Sequence, residues 1–301
     1  MNILVNGIDF SNHIESISWS GDENQLARKV AVSYLYAPGS MAEYSMAANK
    51  GDRLVMLENG QIVFDGIIVA EERSESGITM QNTAYDYAWY LRSKAMGVYK
   101  GTPGQVLAKV CEENGISCGS IYDPGGEAEV ISTGEKSISQ VIAEAYDGYD
   151  AHIYMSGMNL CIEKYGAELA GIVTGDDYVT DGTYKSSIEN IVNRVVLLDA
   201  SEQPVGEVSN GLTEYGVIQD VYKTAGGGEN PAAEASKLLK GIEESGKIVV
   251  KGSPGFQTGK AVIVEKVNSK IKGRFIIISD SHTIQDAKHT ATLGLRFETV
   301  V

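Results

Sequence analysis

The sequence has 301 residues, a length that favours two or three domains. Its 25 basic and 40 acidic side chains leave a net charge of −15, which disfavours nucleic-acid binding because affinity for phosphates requires positive charge. No apolar run approaches the roughly 20 residues that a membrane-spanning helix needs, which excludes membrane insertion.

Residues 1–95 have the pattern of a β domain, in which short apolar runs alternate with turn residues. The clearest hairpin joins residues 53–57 to 62–69 through Asn59-Gly60, the pair that best supplies two positive φ angles. Gly66 inside the second strand predicts a bulge, which would bend the sheet toward closure. We therefore predict a first β-barrel domain over residues 1–95.

Residues 96–185 change to a mixed pattern, which predicts a small α+β insert domain. Thr102-Pro103 is a cap residue followed by proline and predicts the start of a helix, which Asn114-Gly115 ends. Apolar residues at the i, i+3, i+4, i+7 spacing predict a second helix from about Ser137.

Residues 186–301 return to strands and predict a second β-barrel domain. One inserted helix is expected at about 230–245, opened by Pro231 and preceded by a flexible joint at Gly226-Gly227-Gly228. The predicted fold is thus α+β and mostly β, with two β-barrel domains, a small insert and short helices.

The two ends of the chain also share a pattern. Gly51 to Glu58 resembles Gly259 to Glu265, and a glycine follows in the next strand, Gly66 after 15 residues and Gly273 after 14. This indicates two related barrels, although two ordinary hairpins of similar composition explain it equally well.

Motifs that carry chemistry are absent or incomplete. Gly255 to Ala261 has three residues between its glycines where a phosphate loop needs four, so we interpret it as a turn. Asp280-Ser281-His282 contains the residue types of a catalytic triad, but adjacent strand residues point to opposite faces. We interpret His282 as an exposed histidine at a strand end.

The metal-ligating residue types are sparse. Neither the four histidines nor the three cysteines have the spacing of a zinc site. These residues are His13, His152, His282 and His289, with Cys111, Cys118 and Cys161. We predict unpaired cysteines, no catalytic residue, no metal, no cofactor and no enzymatic activity. Acidic pairs are interpreted as solvated faces, but a hidden glycosidase pair among them stays an alternative; they are Glu71-Glu72, Glu112-Glu113, Asp176-Asp177 and Glu243-Glu244.

Sixteen tyrosines against five phenylalanines indicate half-exposed aromatic surfaces, with a cluster at Tyr85, Tyr87, Trp89 and Tyr90. Such surfaces favour protein contacts or cross-strand pairing, and the sequence leaves both open.

Several short motifs along the chain form an ordered set. They are Trp19-Ser20-Gly21-Asp22, Arg28-Lys29-Val30-Ala31-Val32-Ser33, Gly51-Asp52-Arg53-Leu54-Val55, Val63-Phe64-Asp65-Gly66-Ile67-Ile68, Ala84-Tyr85-Asp86, the Thr102-Pro103 helix, Ile188 to Val195, Tyr215-Gly216, the helix with Ala235, Leu238 and Leu239, Gly259-Lys260-Ala261-Val262 and Lys272-Gly273-Arg274-Phe275 with His282. This set resembles the baseplate hub proteins of contractile phage tails, prophage tails and phage-tail-like bacteriocins, the late control protein D-like family.

The resemblance implies two tail-tube-like β-barrel domains per chain and a homotrimer that forms a pseudo-sixfold ring. Such a ring joins the sixfold tail tube to the threefold spike. The implied partners are further copies of the chain, the tail tube protein and the central spike protein, with tape measure and baseplate wedge proteins as further candidates.

The sequence opens without a signal peptide, so we expect synthesis in the bacterial cytoplasm and assembly into the baseplate of a virion or extracellular tail-like particle. The alternatives are a cell-wall hydrolase with an unrecognised carboxylate pair and a carbohydrate-binding module that uses exposed aromatic residues.

Overall fold

A computed structural model of the chain describes residues 1–36, 48–73, 78–224, 230–265 and 271–297. The fold is α+β and mostly β, as predicted. The strands are β1 (Asn2–Val5), β2 (Ile8–Asp9), β3 (Ile14–Asp22), β4 (Gln25–Leu35), β5 (Arg53–Glu58), β6 (Gln61–Arg73), β7 (Thr79–Asp86), β8 (Lys94–Gly101), β9 (Cys118–Ile121), β10 (Ala128–Ser137), β11 (Ala151–Ser156), β12 (Asn159–Lys164), β13 (Leu169–Val173), β14 (Tyr178–Ser187), β15 (Arg194–Leu198), β16 (Pro204–Ser209), β17 (Gln219–Lys223), β18 (Glu243–Lys251), β19 (Ala261–Val264), β20 (Gly273–Gln285) and β21 (Lys288–Phe297). The α-helices are α1 (Pro103–Glu113), α2 (Ile138–Ala145) and α3 (Pro231–Ser236).

The chain forms two compact units. One comprises Met1–Gly182 with Lys247–Val301, and the other comprises Thr183–Gly246. The boundary between them runs through β14 and β18 rather than through loops. The predicted domain boundaries at 95 and 185 stay predictions. No helix of the described residues combines the length and the apolar character that a membrane crossing requires.

Among the described residues, thirteen strands form the main sheet, and ten of them make two sets with the same order. The first repeat runs β3-β4-β7-β6-β5, and the second runs β14-β18-β21-β20-β19. Numbered within its own repeat, each set therefore reads first, second, fifth, fourth, third. A pairing between β3 and β20 joins the two repeats.

Backbone contacts repeat as closely as the strand order. Gly51 N donates to Ile68 O at 2.8 Å, and Gly259 N donates to Ile277 O at 2.9 Å. Gly51 and Gly259 have φ angles of +93° and +92°. The sequence similarity between these segments thus reflects two related structural units. In the described residues the first and last strands of the sheet order do not pair with each other. Closure of either predicted β-barrel therefore stays a prediction.

The predicted bulge at Gly66 is wrong. Gly66 pairs in register with Leu54 and Asp86, and the shift in the β6–β7 ladder falls between Ile68 and Ala70. The glycine is required because a Cβ there would lie 2.1 Å from the carbonyl oxygen of Tyr85. Gly273 lies opposite Val264, two positions away from the place equivalent to Gly66.

Local turn and cap predictions are confirmed. Asn59 and Gly60 have φ angles of +51° and +79°, as a two-residue hairpin turn requires. The Thr102 hydroxyl accepts from Gln105 N at 3.3 Å at the start of α1, and the Ser137 hydroxyl accepts from Gln140 N at 3.2 Å at the start of α2. Both helices pack into one apolar core with β8, β10 and β12.

The unit Thr183–Gly246 contains a three-stranded sheet in the order β16-β15-β17, with α3 packed on it through Ala235. The helix predicted at 230–245 is too long, because α3 ends at Ser236. The chain there turns back, and Lys240 forms an antiparallel bridge with Val192. The joint predicted at residues 226–228 lies outside the described residues.

Candidate functional site

Six buried or half-buried side chains, most of them polar, lie together where β3 meets β20. We call this group the junction cluster and define it by Trp19, Arg28, Thr258, Asp280, His282 and His289. Asp280 is 2% exposed and His282 is fully buried. The cluster therefore lies at the pairing that joins the two repeats, where a polar group needs partners to be tolerated.

Asp280 accepts hydrogen bonds from Arg28 and Thr258, and Nε2 of His282 lies 3.4 Å from its Oδ2. Arg28 donates from Nη1 at 2.9 Å and from Nη2 at 2.5 Å, one bond to each carboxylate oxygen. The backbone N and the hydroxyl of Thr258 each donate to Oδ1 at 2.7 Å. Burial by itself would raise the pKa of Asp280, but the charge and hydrogen bonds of Arg28 and His282 outweigh it and hold the pKa well below its usual range. Asp280 is thus a fixed anion paired by a two-pronged guanidinium.

His282 is held on both ring nitrogens and on one face. Its Nε2 lies 2.8 Å from the carbonyl oxygen of Phe256, so Nε2 carries a proton and donates it. Its Nδ1 lies 3.0 Å from Nε2 of His289. The Trp19 ring stacks on it at a centroid distance of 4.6 Å and an angle of 3°. Burial and the neighbouring His282 lower the pKa of His289 to about 4.

The prediction of an exposed His282 at a strand end is wrong. The strand continues to Gln285, and His282 pairs with Ala291 on one side and Trp19 on the other. The residue is therefore central in the sheet. Ser281, by contrast, is exposed on the opposite face, so these three residues do not form a proton relay, as the sequence indicated.

Three glycines leave room for the polar side chains. A Cβ on Gly21 would lie 2.3 Å from Nη1 of Arg28, and a Cβ on Gly252 would lie 2.0 Å from Cδ2 of His289. A Cβ on Gly259 would lie 2.1 Å from Cδ2 of His152. The segment Gly255 to Ala261 is thus a turn, as predicted, and it shapes the cluster through Thr258 and Gly259.

His152 borders the junction cluster from β11. Its ring stacks on Tyr154 at 5.8 Å and tilts against Tyr165 at 5.2 Å. Burial, and then the charge of Arg28, lowers its pKa to about 4. A partly open cavity of about 60 Å³ lies beside Arg28 and His152.

The remaining candidates from the sequence do not join this cluster. His13 ends a short 3-10 turn, Ser11–His13. All three cysteines are free, Cys118 being exposed and the other two buried. Among the described residues, no group of three or more His, Cys, Asp or Glu side chains is arranged to hold a metal ion.

The acidic pairs at 71–72, 112–113 and 243–244 are exposed, in keeping with solvated faces. Asp177 accepts from Thr174, and the side chain of Asp176 lies outside the described residues.

Two further buried carboxyls, Asp86 and Asp65, have hydrogen-bond partners that explain their burial. Burial raises the pKa of Asp86 to about 7, although the hydrogen bond that Asp86 accepts from the backbone N–H of Arg28 acts to lower it. Asp86 also accepts from Ala88 N at 3.0 Å, so each of its carboxylate oxygens accepts a hydrogen bond from a backbone N–H. Asp65 accepts from Arg53 Nε at 2.8 Å and Nη2 at 2.6 Å. These contacts are those of a cap and an ion pair.

The aromatic cluster begins with Tyr85 in β7 and continues into the 3-10 helix Tyr87–Arg92 that follows it. Tyr90 is 48% exposed, and Trp89 packs edge to face against it at 5.1 Å. The guanidinium of Arg92 lies 4.7 Å above the Trp89 ring. The group thus presents a half-exposed aromatic surface, and a role in protein contacts stays a prediction.

The junction cluster was missed by sequence reasoning. Arg28 and Asp280 are 252 positions apart and meet only because β3 pairs with β20 and β4 lies beside β3. The available signal was weak: Gly21, Arg28 and His282 all lie within motifs that carried the resemblance.

Comparison with solved structures identifies the fold. The tail protein from Neisseria meningitidis MC58 superposes with a TM-score of 0.75 at 15% identity, covering 99% of this chain and 96% of that chain. An Escherichia coli protein, c3393, described as a type VI secretion component similar to the T4 tail proteins gp27 and gp5, gives a TM-score of 0.61 at 8% identity over 99% and 78%. The fold is that of phage tail proteins and their type VI secretion relatives.

Sequence comparison gives the family. The phage-like element PBSX protein XkdQ of Bacillus subtilis (strain 168) is 24% identical over 303 residues, which cover 93% of this chain and 91% of that protein. The sequence model of the YQBQ-like family matches residues 17–296. The chain belongs to the YQBQ-like family. Its resemblance to phage tail and baseplate proteins, predicted from the ordered motifs, is confirmed.

Proposed function

We propose that the chain is a structural baseplate hub of a contractile tail or phage-tail-like particle, in which three copies form a pseudo-sixfold ring. The observation that carries the proposal is the pair of repeats with one strand order. Three chains of this kind present six similar units, which matches a sixfold tail tube. The fold of the tail proteins and the name of the Bacillus subtilis relative support it.

The mechanism is symmetry matching. The repeat occurs twice per chain, whereas the helical insert and the three-stranded sheet β16-β15-β17 with α3 occur once. A closed ring of three chains is therefore sixfold in its repeats and threefold in its other parts. The repeats therefore suit contact with the sixfold tail tube, and the parts that occur once per chain suit contact with the threefold spike.

The proposed partners are further copies of the chain, the tail tube protein and the central spike protein, with tape measure and baseplate wedge proteins next to them. We assign domains as a first tube-like β-barrel at 1–95, an insert at 96–185 and a second tube-like β-barrel at 186–301. The protein acts without catalysis and takes its place in a virion or extracellular tail-like particle. The net charge of −15 suits a bore that does not hold DNA.

The test is the mass of the purified chain in solution, measured by light scattering across micromolar concentrations, alone and with the tail tube protein of the same particle. We expect three times the chain mass of 32.3 kDa and a six-lobed ring by negative-stain microscopy. A dimer, or a monomer under both conditions, contradicts the proposal. Release of fragments from peptidoglycan, abolished by changing one carboxylate, favours the hydrolase instead.

A further inference from the structure

The strand β20 uses one of its edges twice. Along this edge, opposite β21, the first part of β20 pairs with β19 up to Ile276, and the later part, Ser279–Gln285, pairs with β3 of the first repeat. A register shift between Ile277 and Ser279 separates the two parts. The second half of β20 therefore forms the joint between repeats.

The strand β6 holds the same place in the first repeat. Like β20 it has 13 residues, and it has a register shift between Ile68 and Ala70. Its edge opposite β7 pairs with β5 only as far as Ile67. In the described part of the chain, Ala70–Arg73 pairs with β7 alone and is exposed throughout. In β20 this edge pairs with β3, whereas the equivalent edge of β6 has no partner strand in the described residues.

The strand β14 leaves the complementary edge open. Its counterpart β3 pairs with β4 on one side and with β20 on the other. In the strand order of the described residues, β14 stands at the end of the sheet with β18 as its neighbour. One chain therefore contains one complete joint between repeats and the two unmatched halves of another.

A residue-level match supports the equivalence of the two edges. Asp280 is the second residue after the shift in β20, and Glu71 is the second after the shift in β6. Asp280 is bound by Thr258, which precedes Gly259; Glu71 is bound at 2.5 Å by Lys50, which precedes Gly51. The same loop position thus contacts the same acidic position in both repeats.

We propose that the free edge of β6, from Ala70 onward, pairs antiparallel with β14 of a second copy of this chain and so repeats the joint between β20 and β3. This deepens the proposed hub function and rests on it. Ser279 lies opposite Asp22, the last residue of β3, so Ala70–Arg73 faces the C-terminal half of β14. There the exposed Lys185 of one copy complements Glu72 of the other.

Both edges benefit from this contact. An unpaired strand edge exposes backbone donors and acceptors and tends to add a strand from another chain. The two edges differ from each other, so the contact is head to tail, as a closed ring of three copies requires.

Proline substitutions test the pairing with an internal control. Successive residues direct their N–H groups to opposite edges of a strand, so one of Glu71→Pro and Glu72→Pro removes an N–H from the free edge and the other removes one from the β7 side. We expect one variant to be a folded monomer with wild-type circular dichroism, and the other to lose thermal stability. If both variants remain trimers of wild-type stability, the strand pairing is wrong.

Disulfide trapping tests the partner, in a Cys118→Ser background that removes the exposed native thiol. We expect Glu72→Cys with Lys185→Cys, or with Thr183→Cys one pleat away, to give covalent trimers on oxidation. Covalent dimers from Glu72→Cys alone indicate a twofold β6–β6 contact and overturn the proposal. A wild-type chain that never trimerises refutes the hub itself, whereas a trimer without either cross-link refutes only this pairing.

Discussion

The two repeats share their strand order but differ at the acidic position after the register shift. In the second repeat this position is Asp280, which pairs with Gly21 of β3 and whose fully buried side chain is bound by Arg28. In the first it is Glu71, whose side chain is 33% exposed and bound by Lys50. The same backbone arrangement therefore carries a sealed ion pair at one place and a solvated one at the other.

The difference is explained by what covers each edge. The joint between β20 and β3 is made within one chain, so its charges are desolvated on folding and need a complete set of partners. The edge of β6 is open in a single chain, so its charges must remain soluble before a partner arrives. The internal joint thus has the composition of a core, and the outer edge has the composition of an assembly surface.

The largest expected effect comes from breaking the two ion pairs separately. Arg28→Ala leaves Asp280 as a buried charge without its guanidinium, and we expect a loss of about 3–5 kcal/mol in the free energy of unfolding. Lys50→Ala, the matched change in the first repeat, costs less than about 1 kcal/mol because its ion pair is exposed. Urea denaturation of both variants measures the difference. Equal losses would show that the junction cluster is not specially stabilised.

A pair of glycines sharpens the comparison further. Gly51 and Gly259 have nearly identical φ angles, so alanine at either costs about 1–2 kcal/mol for the left-handed backbone. At Gly51 nothing lies within 4 Å of a Cβ, whereas at Gly259 the ring of His152 lies at 2.1 Å. We expect Gly259→Ala to lose about 1–3 kcal/mol more than Gly51→Ala. Thermal melting of the two variants provides the measurement, and a larger loss at Gly51 would contradict the structure.

How much could be predicted from sequence follows from how local each interaction is. The Asn59-Gly60 turn and the cap at Thr102 depend on a few adjacent residues, and both were predictable. The length of α3 was not, because the bridge from Lys240 to Val192 ends the helical path. The apolar spacing continued past Ser236 all the same.

The candidate site shows the same limit more strongly. Asp280 and His282 were noticed as residue types, but their burial depends on a strand some 260 positions earlier, as the pairing of His282 with Trp19 shows. Local rules likewise indicated a bulge at Gly66, whereas a glycine is required there because the carbonyl oxygen of Tyr85 lies close to it. Strand register between distant segments is the information that a single sequence does not carry.

The smallest expected effect is the pH dependence of stability that His289 contributes. The pKa of His289 is about 4 in the folded chain, against about 6.5 when exposed. Between these values the unfolded chain binds more protons, so stability is present above pH 6.5 and is lost as the pH falls toward 4. Asp86, with its pKa raised to about 7, acts in the opposite direction and weakens the native state as the pH rises from about 4 to 7.

The variant His289→Gln removes the contribution of His289 alone, since the Gln amide can still donate to Nδ1 of His282. We expect its melting temperature to fall less than that of the wild type between pH 7 and pH 5, both values lying within the interval where the proton difference acts. His13→Gln is the matched control, because His13 lies in the 3-10 turn Ser11–His13 before β3, apart from the junction cluster. If the two variants respond to pH alike, the acid sensitivity does not arise from His289.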